Sequence, residues 1–123
     1  MPKIHKLKLR KEYVNDVVKG RKTFEFRLND RDYQVGDYIA FTDVEGNPYK
    51  EFDKAFPFIR TKQEDGSILT DFSDRQRCYK ITYVLKLDNF LESEKDKQYV
   101  VLSIKQCKDS LYDVEKKLEE GGN

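Results

Sequence analysis

The chain has no tryptophan, one histidine (His5) and two cysteines (Cys78 and Cys107) among its 123 residues. Each scarcity removes a class of chemistry. Cys78 and Cys107 do not have metal-ligand spacing, and a single histidine does not complete a plausible zinc set with them, so neither a metal nor a cofactor is expected. No apolar run approaches the roughly 20 residues needed to cross a bilayer, and the first residues lack a signal-peptide core, which predicts a cytoplasmic protein without membrane contact. Charge of one sign is also missing, with 24 Lys and Arg against 23 Asp and Glu. A non-specific DNA-coating protein is normally far more basic, so any nucleic-acid contact is expected as a local patch. No internal repeat or low-complexity segment is visible.

What is present is charge and aromatic surface together. Charged residues make up 38% of the chain and aromatic residues 13%. Disordered sequences of such high charge usually lack aromatics, so a folded core is expected. The length fits one domain over residues 1–123, large enough for a core without disulfides.

Hydrophobic spacing orders the elements. Ile4 to Leu9 alternates lysines with Leu7 and Leu9 and reads as a strand. Residues 10 to 19 carry Tyr13, Val14, Val17 and Val18 at helical spacing, with Gly20 where a helix C-cap belongs. Thr23 to Leu28 reads as a second strand and Tyr38 to Asp43 as a third, joined by a polar loop ending in Gly36-Asp37. From about residue 44 to 76 the pattern weakens into an insertion, a flap or a surface excursion, with a possible hairpin between Phe56–Lys62 and Ser67–Phe72. Cys78 to Asp88 and Gln98 to Gln106 form the strongest β signal. Opposing Ile81 with Ile104, Tyr83 with Leu102 and Leu85 with Val100 puts every apolar residue on one face, and sets Cys78 opposite Cys107 on the other. The expected compartment favours free thiols there. Asp109 to Glu120 reads as a C-terminal helix ended by Gly121-Gly122.

Gly20-Arg21-Lys22-Thr23-Phe24-Glu25-Phe26-Arg27 is the most informative stretch. Phe24 and Phe26 alternate with Thr23, Glu25 and Arg27, which predicts a half-buried strand with one apolar and one polar face. The polar face offers a donor, an acceptor and a planar cation side by side. It either lines a site for a polar ligand or is a solvated sheet face.

The element order, with Gly20-x-Lys22-x-x-Glu25-x-Arg27 directly after the first helix, resembles the ASCH (activating signal cointegrator homology) domain of the PUA-like β-barrel superfamily. The pattern also resembles an ASCH-like family of uncharacterised bacterial and phage proteins. It runs from His5-x-Leu7-Lys8 through the motif to Asn29-Asp30-Arg31-Asp32-Tyr33-Gln34-Val35-Gly36-Asp37, and closes with Tyr99-Val100-Val101-Leu102. It covers roughly residues 4–43 and 78–106 and omits the insertion and the C-terminal helix. The resemblance implies an α+β, mainly β fold: a small PUA-like barrel with a helix after its first strand, a C-terminal helix, and a cleft floored by the motif. It implies RNA or a nucleotide-like ligand as partner. One ASCH branch contains amidohydrolases of acylated nucleosides that use a lysine and a threonine of this motif. Lys22 matches that lysine, whereas Glu25 stands where the threonine nucleophile does, and Thr23 lies two residues earlier on the same face.

The residue chemistry fits binding. Arg27 and Arg31 suit forked hydrogen bonds to phosphate or a base edge, and Lys22 supplies a compact charge. Glu25 either accepts from a base or pairs with Lys22 or Arg27. Tyr33 either stacks on a base or packs its loop. Lys6, Lys8 and Arg10 form a basic stripe, either a phosphate track or a solvated face. His5 reads as structural or as a general base, and Asp30 and Asp32 as turn caps rather than a metal pair. The leading expectation is a non-enzymatic module with Lys6, Lys8, Lys22, Glu25, Arg27, Arg31 and Tyr33 at its site. The alternatives are a nucleoside hydrolase using Lys22, Thr23 and Glu25, and a phage-derived interaction adaptor acting through the insertion.

Overall fold

His5, Leu7 and Leu9 point to one side of the first strand and are buried, while Lys6 and Lys8 point to the other and stay exposed. That two-residue alternation builds the fold. In the computed structural model, which describes residues 1–52, 59–71, 76–87 and 99–121, the order is β1 (Ile4–Lys8), α1 (Lys11–Val18), β2 (Phe24–Leu28), β3 (Tyr38–Thr42), a 3-10 turn (Lys50–Phe52), β4 (Ile59–Lys62), β5 (Ile68–Asp71), β6 (Arg77–Lys86), β7 (Tyr99–Ser110) and α2 (Leu111–Glu120). The fold is mixed α/β and mainly β. Five strands form one sheet in the order β1-β3-β6-β7-β2, and β4 and β5 form a separate hairpin. β1 runs parallel to β3; the other neighbours are antiparallel.

β1 and β2 are the two edges of the sheet. Among the described residues no backbone ladder joins them, so the sheet is open where the expected barrel would close. Leu7, Leu9, Ile39, Phe41, Tyr79, Ile81, Val100, Leu102 and Ile104 fill its inner side, covered by Val14 and Val17 of α1 and by Phe52. Burying each such aliphatic or aromatic side chain contributes about 1.5–3 kcal/mol. A second cluster lies on the outer side, where Leu111 and Val114 of α2 pack on Ala40 and Cys78, with Ile4, Tyr38 and Cys107 at its border. α2 starts later than Asp109 because Ser110 is its N-cap, accepting from the Asp113 N–H at 3.3 Å.

The long β6–β7 pairing matches the sequence register at Ile81 and Ile104, then departs from it. A bulge between Ile81 and Tyr83 sets Tyr83 against Ser103 and Leu85 against Val101, where strict alternation predicts Leu102 and Val100. One extra residue flips every later side chain to the other face. Tyr83 is accordingly exposed, and Val84 packs against the core in its place.

The insertion contains the expected hairpin as β4 and β5. Its turn is closed by the Gln63 N–H donating to the Ser67 carbonyl at 2.8 Å, and Asp65 accepts from the Ser67 N–H at 2.9 Å. Residues 56–58 and 72 of the predicted hairpin, and the predicted loop at 91–97, lie outside the described residues. Cys78 and Cys107 are free thiols, and Cys78 Sγ donates to the Asp109 carbonyl at 3.7 Å.

Candidate ligand-binding site at the seam between β1 and β2

The motif begins with a helix ending. Gly20 has φ +77°, a left-handed conformation that costs glycine little. It lets the Gly20 N–H donate to the Val17 carbonyl at 3.1 Å and the Arg21 N–H to the Asp16 carbonyl at 2.8 Å, a Schellman ending for α1. The Lys22 N–H donates to the same Asp16 carbonyl at 3.0 Å. The chain is thereby folded back against the helix, and the Lys22 side chain is delivered beneath β2.

Its target is Glu25, which is 3% exposed. One carboxylate oxygen accepts from Lys22 Nζ and the other from Arg27 Nε at 2.9 Å. Lys22 Nζ also donates to the Phe24 carbonyl at 2.7 Å, and its ammonium lies 5.0 Å from the Phe24 ring centre and 5.5 Å from that of Tyr13. Arg27 Nη2 donates to the Lys8 carbonyl at 2.5 Å. The solvated reading of the polar face is therefore corrected: Glu25 faces inward, and Phe24 and Phe26 face out at 50% and 55% exposure. The reason is the company Glu25 keeps. A carboxylate is tolerated inside when cations and hydrogen bonds compensate its desolvation.

Arg27 divides the open seam into two clefts. One, about 470 Å³, is lined by Lys6, Lys8, Arg27, Asp30, Arg31 and Tyr33. The other, about 440 Å³, is lined by Lys8, Arg10, Tyr13, Lys22, Phe24, Glu25, Phe26 and Arg27. Of the sequence-predicted residues, Lys6, Lys8, Lys22, Glu25, Arg27 and Arg31 are thus brought together along the seam. Thr23 lines neither cleft; its carbonyl accepts from the Ile104 N–H at 2.9 Å.

Of its two readings, Tyr33 takes the one that packs its loop. It is 4% exposed and its ring packs on His5 at 4.8 Å, so it anchors its loop while also lining the cleft. Burial, then the nearby Asp30 carboxylate, pushes its phenol above the ordinary range. Asp32 accepts from Gln34 Nε2 at 2.7 Å across the turn.

His5 has a partner that its sequence neighbourhood did not reveal. His5 Nε2 and Asp37 Oδ2 lie 2.8 Å apart in the interior, and Asp37 also accepts from the N–H groups of Lys3 and Gln34, each at 3.1 Å. Burial works to raise the Asp37 pKa, but these bonds outweigh it and hold the carboxyl below its ordinary value. Tyr13 was also missed, because it shares helical spacing with the buried Val14 and Val17; it stands at the edge of that stripe and lines the cleft.

A family model described as a domain of unknown function, DUF3850, matches residues 4–104. The chain belongs to the DUF3850 family. It is also 49% identical over 39 residues, 32% of its own length, to an uncharacterised 12.9 kDa protein in the GpA 3′ region of Escherichia phage P2. That alignment spans 36% of the phage protein. The DUF3850 span takes in both clefts, Glu25 and the His5–Asp37 pair, and ends before α2 begins at Leu111. No helix among the described residues is long and apolar enough to cross a membrane.

Proposed function

We propose that the protein is a binding module for RNA or a nucleotide-like ligand, with the phosphate-bearing part of that ligand in the seam between β1 and β2. One observation carries this reading: Lys6, Lys8, Arg10, Lys22, Arg27 and Arg31 line the seam against only Glu25 and Asp30, in a chain whose net charge is +1. Local concentration of cations on a near-neutral protein is the footprint of an anionic ligand. Glu25 serves as the positioning residue, holding Lys22 and Arg27 in one geometry. Arg31, Lys6 and Lys8 are exposed and reach the phosphates, Arg31 by a forked pair of hydrogen bonds. The resemblance of the Gly20–Arg27 motif to the ASCH domain agrees with this assignment.

A hydrolase built on Lys22, Thr23 and Glu25 has less support. Lys22 Nζ is held by Glu25 and the Phe24 carbonyl, both Glu25 oxygens accept from cations, and Thr23 lines neither cleft. The test is a thermal-shift screen of nucleosides, nucleotides and short RNAs. Phosphorylated ligands should raise the melting temperature through linkage, and Arg31→Ala should reduce the gain. Stabilisation by no phosphorylated ligand would contradict the proposal.

A further inference from the structure

The outer face of the sheet is covered at one end only. α2 packs over Ala40, Cys78 and the neighbouring ends of β1 and β3. Beyond it the cross-strand rows read Lys80–Lys105, Tyr83–Ser103–Phe24, Leu85–Val101–Phe26 and Tyr99–Leu28. The bulge after Ile81 is what turns Tyr83, 59% exposed, onto this face. Phe26 and Tyr99 stack on it, with ring centres 5.0 Å apart and planes within 6°. Three successive outward residues of an edge strand, Phe24, Phe26 and Leu28, are apolar and about half exposed. Natural edge strands are normally blunted with charge, and an exposed apolar patch of this kind usually marks an interaction site.

The charge of the face says what kind of partner suits it. None of these rows carries a carboxylate, although the chain has 23 acidic residues; the charged members are Lys80 and Lys105. The Lys22 ammonium stands over Phe24 at 5.0 Å at the β2 edge. Phe24 and Phe26 also line the seam cleft of about 440 Å³, so face and cleft form one continuous surface around β2. Exposed flat rings flanked by cations, with no acid in their own rows, are the chemistry of single-strand readers, whose aromatics stack on bases while lysines hold phosphates.

We infer that the outer face of β2, β7 and β6 is a base-stacking platform for single-stranded nucleic acid, with bases on Phe24, the Phe26–Tyr99 pair and Tyr83, and phosphates on Lys80 and Lys105. This rests on the nucleic-acid reading of the seam and adds a second surface to it. The test is fluorescence anisotropy with a labelled oligouridine of about twelve nucleotides, titrated with the wild type, with Arg31→Ala, and with the double variant Phe26→Ser, Tyr83→Ser. Phe26 and Tyr83 are more than half exposed, so the double variant keeps its fold, which circular dichroism checks. Losing two stacking partners should weaken the oligonucleotide about tenfold or more. Weakening by Arg31→Ala alone would overturn the platform and leave the seam reading standing. A wild type that binds uridine monophosphate but no oligonucleotide would do the same. A concentration-dependent dimer in sedimentation, lost in the double variant and without oligonucleotide binding, would assign the face to a second copy of the chain and overturn the inference.

Discussion

Arg27 Nη2, on the edge strand β2, donates to the carbonyl of Lys8 on the opposite edge strand β1, so one side chain spans the gap between the two ends of the sheet. The same guanidinium holds Glu25 through Nε. Replacing it by lysine keeps the charge and loses the fork, since an ammonium cannot match two acceptors in fixed planar geometry. Arg27→Lys should cost about 1.5–3 kcal/mol, the worth of a hydrogen bond to a charged group. Urea denaturation measures this, and an unchanged midpoint would show that the seam is closed by something else.

Glu25 is the group whose loss should be felt most in this cluster. Glu25→Ala leaves Lys22 and Arg27 facing each other without a counter-charge, at a cost of about 3 kcal/mol, as for breaking one side of a buried pair. Glu25→Gln retains an acceptor and should cost less. A loss below about 1 kcal/mol for the alanine variant would place the cluster among surface ion pairs, which contribute little.

The Asp37–His5 pair sets an acid limit. The folded Asp37 pKa lies below its ordinary value of 3.8, so the unfolded chain binds the proton more readily than the native one. The stabilisation is present above that ordinary value and is lost as pH falls through the lower, folded one. Acid titration followed by circular dichroism should therefore show a steep loss of stability below about pH 3.8, and Asp37→Asn should flatten it. An equally steep loss in the variant would remove Asp37 from the explanation.

The two thiols should differ in reactivity. Cys107 is partly exposed and its pKa is lowered, first by the neighbouring Cys78 thiol and then by Lys80, against the opposing effect of burial. Cys78 is buried, and the neighbouring Cys107 thiol, followed by desolvation, raises its pKa. Because the thiolate is the nucleophile, iodoacetamide near neutral pH should label Cys107 first, and Lys80→Ala should slow it. Mass spectrometry of partially labelled protein reads the order directly.

Much of this was legible from the sequence, and the exceptions have physical causes. The glycine-ended α1, the five sheet strands and the C-terminal helix follow from local periodicity and cap chemistry, and the seam cations follow from the stripe Lys6-Lys8-Arg10 and the motif. Which face of β2 turns inward did not follow. Alternation fixes two faces without saying which is buried, and a rule that buries phenylalanine picks the wrong one when Glu25 has two cations beside it. Tyr83 was misplaced for a different reason: the bulge after Ile81 is a one-residue event that leaves no mark in the apolar spacing. Asp37 reads as a turn residue because its partner His5 is 32 positions away.

The salt dependence of RNA binding tests the central claim most directly. If the seam neutralises phosphates, the logarithm of the affinity should fall linearly with the logarithm of salt concentration, by about 0.7 for each phosphate contacted on a single strand. Arg31→Ala should then lower that slope by about 0.7. Affinity that is indifferent both to salt and to Arg31 would contradict the assignment of the seam as an anion-binding site.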